Sequence, residues 1–208
     1  MFSHSRIAII CNAPIVDLLK AKERILSFPL LIAVDGGLNH CHKLGIRPDL
    51  AVGDFDSADP SILDNFKNIP TKLYPKDKDK TDLEIALELI DHSQVKEISV
   101  FGALGERTDH TLGNLVLLSR YPGTVFLETD KERMFVINHQ AEIVTYPGQK
   151  ISLIPLNGPS KGVTTEGLKW KLENGTLDKQ FIGLSNEALN KEVKIFVKEG
   201  DLLCCINN

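Results

Sequence analysis

Over the first two thirds of the chain, short apolar runs alternate with stretches in which apolar residues recur every three or four positions. The runs at 6–11, 30–34, 50–52, 71–74, 97–101 and 124–127 read as strands, and the helical spacing predicts helices near 15–25, 37–44, 60–67, 81–92 and 109–120. The strands are continuously apolar rather than alternating, which is the pattern of a parallel sheet covered by helices on both faces. From about residue 140 the texture changes. Segments at 142–145, 150–155, 162–165 and 193–197 are short and separated by Pro-Gly, Asn-Gly and Glu-Gly turns, with no amphipathic helix between them. The expected architecture is therefore an α/β domain over 1–139 followed by an all-β sandwich over 140–208. Residues 128–141 are expected to carry the crossover, with 134–137 open as a strand of either domain.

Polar residues cluster where the apolar runs end. In an open α/β sheet, ligands bind beyond the carboxyl ends of the strands. Those ends carry Asn12, Asp35-Gly36-Gly37, Gly53-Asp54-Phe55-Asp56-Ser57, the stretch 76–82 and the stretch 102–110. Thr81 and Glu84 have the spacing of a capping box, so a helix begins there with Asp82 in its first turn, Asp79 just before it and Lys78 and Lys80 flanking. Carboxylates and anion-binding groups thus share one corner, which suits Mg-phosphate chemistry. The alternative is a well-capped surface helix after a solvated charge run.

Asp54 and Asp56 form a D-x-D pair, and two nearby carboxylates supply the hard oxygen ligands that Mg²⁺ takes while keeping waters and phosphate oxygens. Asp-rich loops are equally good turn formers. Gly36 and Gly37 would let backbone N–H groups approach a phosphate, or simply make the turn. Arg107 sits at the start of the predicted helix near 109–120, where a guanidinium fork can hold phosphoryl oxygens or pair with Asp109 or Glu106. His110 on the first turn fits a hydrogen-bonded structural residue or a base.

Composition narrows the field. The 208 residues are 42% hydrophobic and 25% charged, enough for one large or two small cores. A net charge of −4 with no Lys/Arg stripe interleaved with aromatics argues against nucleic acid as a partner. No long apolar span points to a membrane. Residues 1–6 lack a basic start followed by a long apolar region, so no signal peptide is expected and the cytoplasm is the default location. Cys11, Cys41, Cys204 and Cys205 have no Cys-x-x-Cys spacing, so reduced, partly buried thiols are expected rather than a zinc site.

Taken together, six motifs in order resemble the thiamine pyrophosphokinase family: Val34-Asp-Gly-Gly37; Pro48-Asp49 with Gly53-Asp-Phe-Asp-Ser57; Lys78-Asp-Lys-Thr-Asp82; Gly105-x-Arg107-x-Asp109-His110 ending at Asn114; Gly167-Leu-Lys-Trp170; and Ser185-Asn186-Glu187. Val34 stands where Ala is common, and Ala103 and Glu106 occupy loop positions that often hold more glycine. The resemblance implies an ATP-binding α/β domain, a β-sandwich that helps bind thiamine, and a homodimer with active sites at the subunit interface. It implies transfer of the pyrophosphoryl group of ATP to the hydroxyl of thiamine, giving thiamine diphosphate and AMP. On that basis Asp54, Asp56 and Asp82 are assigned to Mg²⁺, and Asp79 and Thr81 to the phosphate or metal shell. Asp35, Gly36, Gly37, Lys78, Arg107, His110 and Asn114 are assigned to ATP, with Asp109 as either orienting partner or base. Trp170, whose indole can stack on a cationic heterocycle, is assigned with Ser185 and Asn186 to thiamine. Two other readings stay open: a pyrophosphokinase for another hydroxymethyl heterocycle such as a pterin, and a non-catalytic nucleotide or thiamine sensor.

Overall fold

The computed structural model describes residues 5–105 and 107–208. The N-terminal part runs β1 (Arg6–Ile10), α1 (Leu18–Leu26), β2 (Leu30–Val34), α2 (Gly37–Leu44), β3 (Leu50–Gly53), α3 (Pro60–Phe66), β4 (Thr71–Leu73), α4 (Asp82–Glu88), β5 (Glu97–Phe101), α5 (Thr108–Leu117) and β6 (Val125–Glu128). Strands β5-β1-β2-β3-β4 pair in that order and all in parallel. The continuous apolar runs are explained by burial: every residue of β2 and β3 is buried. Edge strand β4 is exposed throughout, and its Lys72 disfavours pairing with another chain. On one face Ala8, Ile10, Ala33 and Ala51 pack against Ile25, Leu38, Cys41, Ile62 and Phe66 from the helices.

Helix ends follow local chemistry. Asp17 and Asp59 accept from Lys20 and Ser61 backbone N–H groups at α1 and α3, satisfying donors that the first turn leaves unpaired. The helix expected near 15–25 thus begins only after Asp17. The one expected near 81–92 ends at Glu88 and is followed by a 3₁₀ turn at His92–Gln94.

The remaining strands are β7 (Glu132–Ile137), β8 (Gln140–Val144), β9 (Lys150–Pro155), β10 (Ser160–Glu166), β11 (Gly175–Leu177), β12 (Gly183–Glu187), β13 (Glu192–Phe196) and β14 (Leu202–Asn207). They form two antiparallel layers, β12-β9-β14-β7 and β11-β10-β13-β8. Ile151, Leu153, Leu202 and Cys204 of one layer and Val163, Leu177, Val193 and Ile195 of the other share a single apolar core. The segment 134–137 belongs to this sandwich, because β7 pairs with β14 along its full length. By contact density the chain divides into one compact unit of 1–111 with 127–130 and a second of 112–126 with 131–208. No helix among the described residues is long and apolar enough to cross a membrane.

Candidate active site

Parallel pairing puts the carboxyl ends of β1, β2 and β3 side by side. Asp35 follows β2 and Asp54 follows β3, and the backbones of the two ends are tied by Asp35 N–H donating to Val52 O at 2.8 Å. Asp35 takes a left-handed conformation, φ 48°, and Phe55 another at 62°, a cost tolerated where surrounding structure over-determines it. Gly53 runs at φ 140° against the Asp35 backbone, and a Cβ at Gly37 would meet Ile10 O at 1.9 Å. The glycine of the Asp-Gly-Gly turn at 37 is therefore required for packing against β1, whatever else it does.

One carboxylate oxygen each from Asp35, Asp54 and Asp56 lies within 4.8 Å of the others. An Asp35 oxygen is buried without a hydrogen-bond partner, an arrangement costly unless a cation or donor joins it. Three hard anionic oxygens converging with one left unsatisfied fit a divalent cation such as Mg²⁺. Asp35, which the resemblance assigns to ATP, lies within this acidic group. Asp82 stands beside that group and is coupled to it by Lys78. The Lys78 ammonium lies 3.1 Å from Asp54 and 3.3 Å from Asp82 and donates to Pro75 O at 3.0 Å. These side chains are only 13%, 14% and 20% exposed respectively. Lys76 caps Asp56 at 2.5 Å on the solvent side, holding the Asp56 carboxyl below its usual range.

The pairing does not act equally on its members. Burial pushes the Asp82 carboxyl up, and Asp35 and Asp54 add to the rise against the opposing pull of Lys78. Burial opposes charge on Lys78 too, but Asp54 and Asp82 together outweigh it and raise its pKa. The lysine has two carboxylates; Asp82 has one lysine and two like-charged neighbours. At the end of β1 the Cys11 thiol is pushed up to about 12 by burial, then by Asp35 and Asp82, so this thiol is no nucleophile.

Asp82 is fixed by the expected capping box: Thr81 Oγ1 accepts from Glu84 N–H at 3.2 Å and Glu84 Oε2 accepts from Thr81 N–H at 3.0 Å. The Thr81 hydroxyl also faces Glu84 Oε2 at 3.2 Å. Asp79 is exposed on the preceding loop. After β5, Arg107 forms a two-pronged pair with Asp109 at 3.2 and 2.6 Å, and chiefly for that reason the Asp109 carboxyl falls to about 2. Glu106, the other expected partner, lies outside the described residues, as does the N-terminal segment 1–4. His110 is exposed on α5 with its backbone N–H on Asp109, and Asn114 is half-buried one turn on. Because β1 separates β5 from β2, two strand spacings of nearly 5 Å put the end of β5, from which the Arg107 loop departs, about 10 Å along the edge from the end of β2. Beside the acidic group opens a cleft of about 520 Å³ bordered by Asn12, Ile15, Leu18, Asn39 and Asp59, within the range of small-molecule sites.

In the second unit, Trp170, Ser185 and Asn186 are brought together. Asn186 Oδ1 accepts from Trp170 N–H at 3.1 Å and its amide donates to Trp170 O at 2.7 Å. The indole is 55% exposed, so it does not serve as core, and the Lys169 ammonium covers one face at 4.7 Å. Ser185 sits at φ 56° in an irregular stretch of β12, where register with β9 shifts between Gly183 and Asn186. The structure adds one residue that the spacing did not single out, Asn39, whose amide touches the acidic loop.

The chain thus joins a parallel α/β unit with an acidic, lysine-bridged strand edge to a β-sandwich presenting an indole, and such an edge suits the phosphoryl-transfer class of enzymes. The thiamin pyrophosphokinase catalytic-domain family matches residues 21–126, and the thiamin pyrophosphokinase vitamin B1 binding-domain family matches residues 136–202. Thiamine pyrophosphokinase 1 of Arabidopsis thaliana is 36% identical across 86% of this chain and 78% of its own length. The crystal structures of thiamine pyrophosphokinases from Bacillus subtilis and Geobacillus thermodenitrificans each superpose with a TM-score of 0.84. Identity is 25% and 26%, covering 98% of this chain and 99% and 97% of theirs. The chain belongs to the thiamin pyrophosphokinase family.

Proposed function

We propose that this protein transfers the pyrophosphoryl group of ATP to the primary hydroxyl of thiamine, forming thiamine diphosphate and AMP. The observation that carries the reading is the convergence of Asp35, Asp54 and Asp56 beside the Lys78–Asp82 pair, in a chain matched by both domain families of this enzyme. All the carboxylates of the Asp-x-Asp and Asp-x-Thr-Asp motifs are in place, which a non-catalytic sensor would not need, and the relatives give no support to a pterin acceptor.

Asp54, Asp56 and Asp82, with Asp35 beside them, would hold Mg²⁺. When bound, the metal would neutralise charge on the phosphate oxygens. Lys78 is placed to exchange its carboxylate partners for a phosphate oxygen of ATP, with Gly36 and Gly37 backing the nucleotide and the cleft beside Asn12 and Asn39 giving the nucleoside room. Thr81, its hydroxyl committed to the cap, acts by fixing Asp82, and Asp79 borders the same shell. Arg107 would hold the transferred group through a guanidinium oriented by Asp109, with His110 and Asn114 along the same helix. A carboxyl held near 2 by its arginine is a weak base, so the orienting role suits Asp109 better. Positioning and charge neutralisation carry most of the barrier reduction in this chemistry, and no strong base is needed.

Thiamine would stack on Trp170, with Ser185 and Asn186 at its hydrogen-bonding edge. In this reading residues 1–139 bind ATP and 140–208 bind thiamine, the protein is a cytoplasmic homodimer, and each site is completed across the subunit interface. Incubation with Mg-ATP and thiamine should release AMP in step with thiamine diphosphate. Accumulation of ADP with thiamine monophosphate would overturn the reading.

A further inference from the structure

The three converging carboxylates follow two neighbouring strands, and beyond the Asp35 N–H to Val52 O bond a side-chain amide fastens the two strand ends to each other. Asn39 lies on the first turn of α2, whose N-cap Gly36 follows Asp35; its backbone N–H donates to Gly36 O at 2.9 Å, and Leu38 N–H donates to Asp35 O at 3.3 Å. Asp35 and Asn39 therefore move as one rigid piece. The Asn39 side chain then reaches across to the loop after β3, where its Nδ2 donates to Ser57 O at 2.9 Å and its Oδ1 accepts from Asp59 N–H at 2.8 Å. The second Nδ2 proton goes to Asn12 Oδ1 at 3.2 Å, at the end of β1.

Both amide protons and one oxygen lone pair are used. The orientation is unambiguous, since a flipped amide would set its protons against the Asp59 N–H and its oxygen against Ser57 O. The loop held this way needs holding. Gly53 and Phe55 take positive φ values; within the loop the bonds are short-range, Asp56 N–H to Asp54 Oδ1 at 3.1 Å, Ser57 Oγ to Asp56 Oδ1 at 3.1 Å and Ala58 N–H to Phe55 O at 3.2 Å, and Lys78 and Lys76 hold the Asp54 and Asp56 carboxylates through flexible side chains. Asn39 supplies two bonds that refer the loop to a neighbouring element, and they bracket the segment immediately after Asp56.

We propose that Asn39 is a positioning residue whose amide sets the spacing of Asp54 and Asp56 relative to Asp35, and so sets the affinity of this acidic group for a divalent cation. The proposal rests on the reading of that group as the Mg²⁺ site. Asn39 also borders the cleft, but its amide is committed to Asn12, Ser57 and Asp59 and acts on the metal through the carboxylates.

The test compares wild type with Asn39→Leu, which is close in volume and has no polar atoms. Mg²⁺ binding is measured by calorimetry on the full-length enzyme without nucleotide, alongside the Mg²⁺ concentration giving half-maximal rate and the KM for thiamine at saturating metal. Residues that orient metal ligands are worth about 10- to 100-fold in metal affinity. The expected result is a loss of about tenfold or more in Mg²⁺ affinity, an equal rise in the metal requirement, and a thiamine KM that stays within about twofold. Unchanged Mg²⁺ affinity, or a loss of rate that excess metal does not relieve at all, overturns the proposal. Should Asn39→Leu fail to fold, Asn39→Ser carries the same comparison with the same expected direction, and unaltered Mg²⁺ affinity in that variant is equally fatal. A wild-type enzyme that makes thiamine diphosphate with Mg²⁺ while Asn39→Leu binds the metal normally defeats the role of Asn39 alone. A wild-type enzyme with no Mg²⁺ affinity defeats the metal-site reading as well.

Discussion

Lys78→Met replaces the ammonium that bridges Asp54 and Asp82 by an apolar side chain of similar length. At 3.1 and 3.3 Å, and with the screening typical of protein sites, each attraction is roughly 5 kcal/mol. Most of that is offset by the desolvation of three largely buried charges. What remains on deleting one partner is the penalty of leaving the others uncompensated, about 3 kcal/mol at the low end of such measurements. For a chain of this size about 2–4 °C of melting temperature corresponds to each kcal/mol, so the metal-free variant should melt about 6–12 °C below wild type. A divalent cation neutralises the same carboxylates, so saturating Mg²⁺ should remove most of the deficit. Mg²⁺ should also bind the variant more tightly than wild type, because its competitor is gone, while turnover falls for want of a phosphate partner. Melting is followed by circular dichroism in chelator and in excess Mg²⁺. Trp170, the chain's only tryptophan, reports the second unit separately by fluorescence. An equal deficit with and without metal, or none at all, would refute the reasoning.

Asp82→Asn should leave metal-free stability at neutral pH unchanged or higher, because burial raises that carboxyl above its unfolded value. A raised folded pKa means the ionised group costs stability above that pKa and nothing below the ordinary carboxylate value of about 4, so any difference should fade as pH falls toward 4 in thermal melts. Its Mg²⁺-dependent activity should nevertheless drop by orders of magnitude; near-normal activity would reduce Asp82 to a helix-start charge. Burial holds Cys11, Cys41 and Cys205 at about 12 and pushes Cys204 well above the ordinary thiol range, so native protein at pH 8 should resist iodoacetamide while the unfolded chain takes up four equivalents by mass spectrometry; rapid native labelling of Cys11 would contradict its burial. Asp54→Asn and Trp170→Ala variants should both be nearly inactive, and if the protein is a two-fold dimer whose sites are shared across the interface, mixing them should restore about a quarter of wild-type rate. No recovery after verified subunit exchange would place Trp170 outside the partner's site.

The capping box at Thr81 and Glu84, the positions of the parallel strands and the placement of acidic residues at their carboxyl ends were legible along the chain, because each depends on local spacing or on two-state periodicity. The strands not read from the sequence were the short β11, β12 and β14. Gly183–Glu187 reads as a turn because Ser185-Asn186 breaks its alternation, and it is a strand only because β9 supplies the partner across a shifted register. Leu202–Asn207 follows the Glu199-Gly200-Asp201 turn but has no alternation to mark it, and it proves to be the strand between β7 and β9. Local sequence determined which residues could end a strand, start a helix or offer a carboxylate. Only tertiary structure decided that Asp35 stands with Asp54 and Asp56, that Lys78 bridges Asp54 to Asp82, and that Asn39 holds the acidic loop. Apart from the local Lys78–Asp82 contact, those pairings join residues 18 to 24 positions apart that neighbouring parallel strands bring to one edge, and register is set by cooperative burial of whole faces rather than by any short stretch of chain.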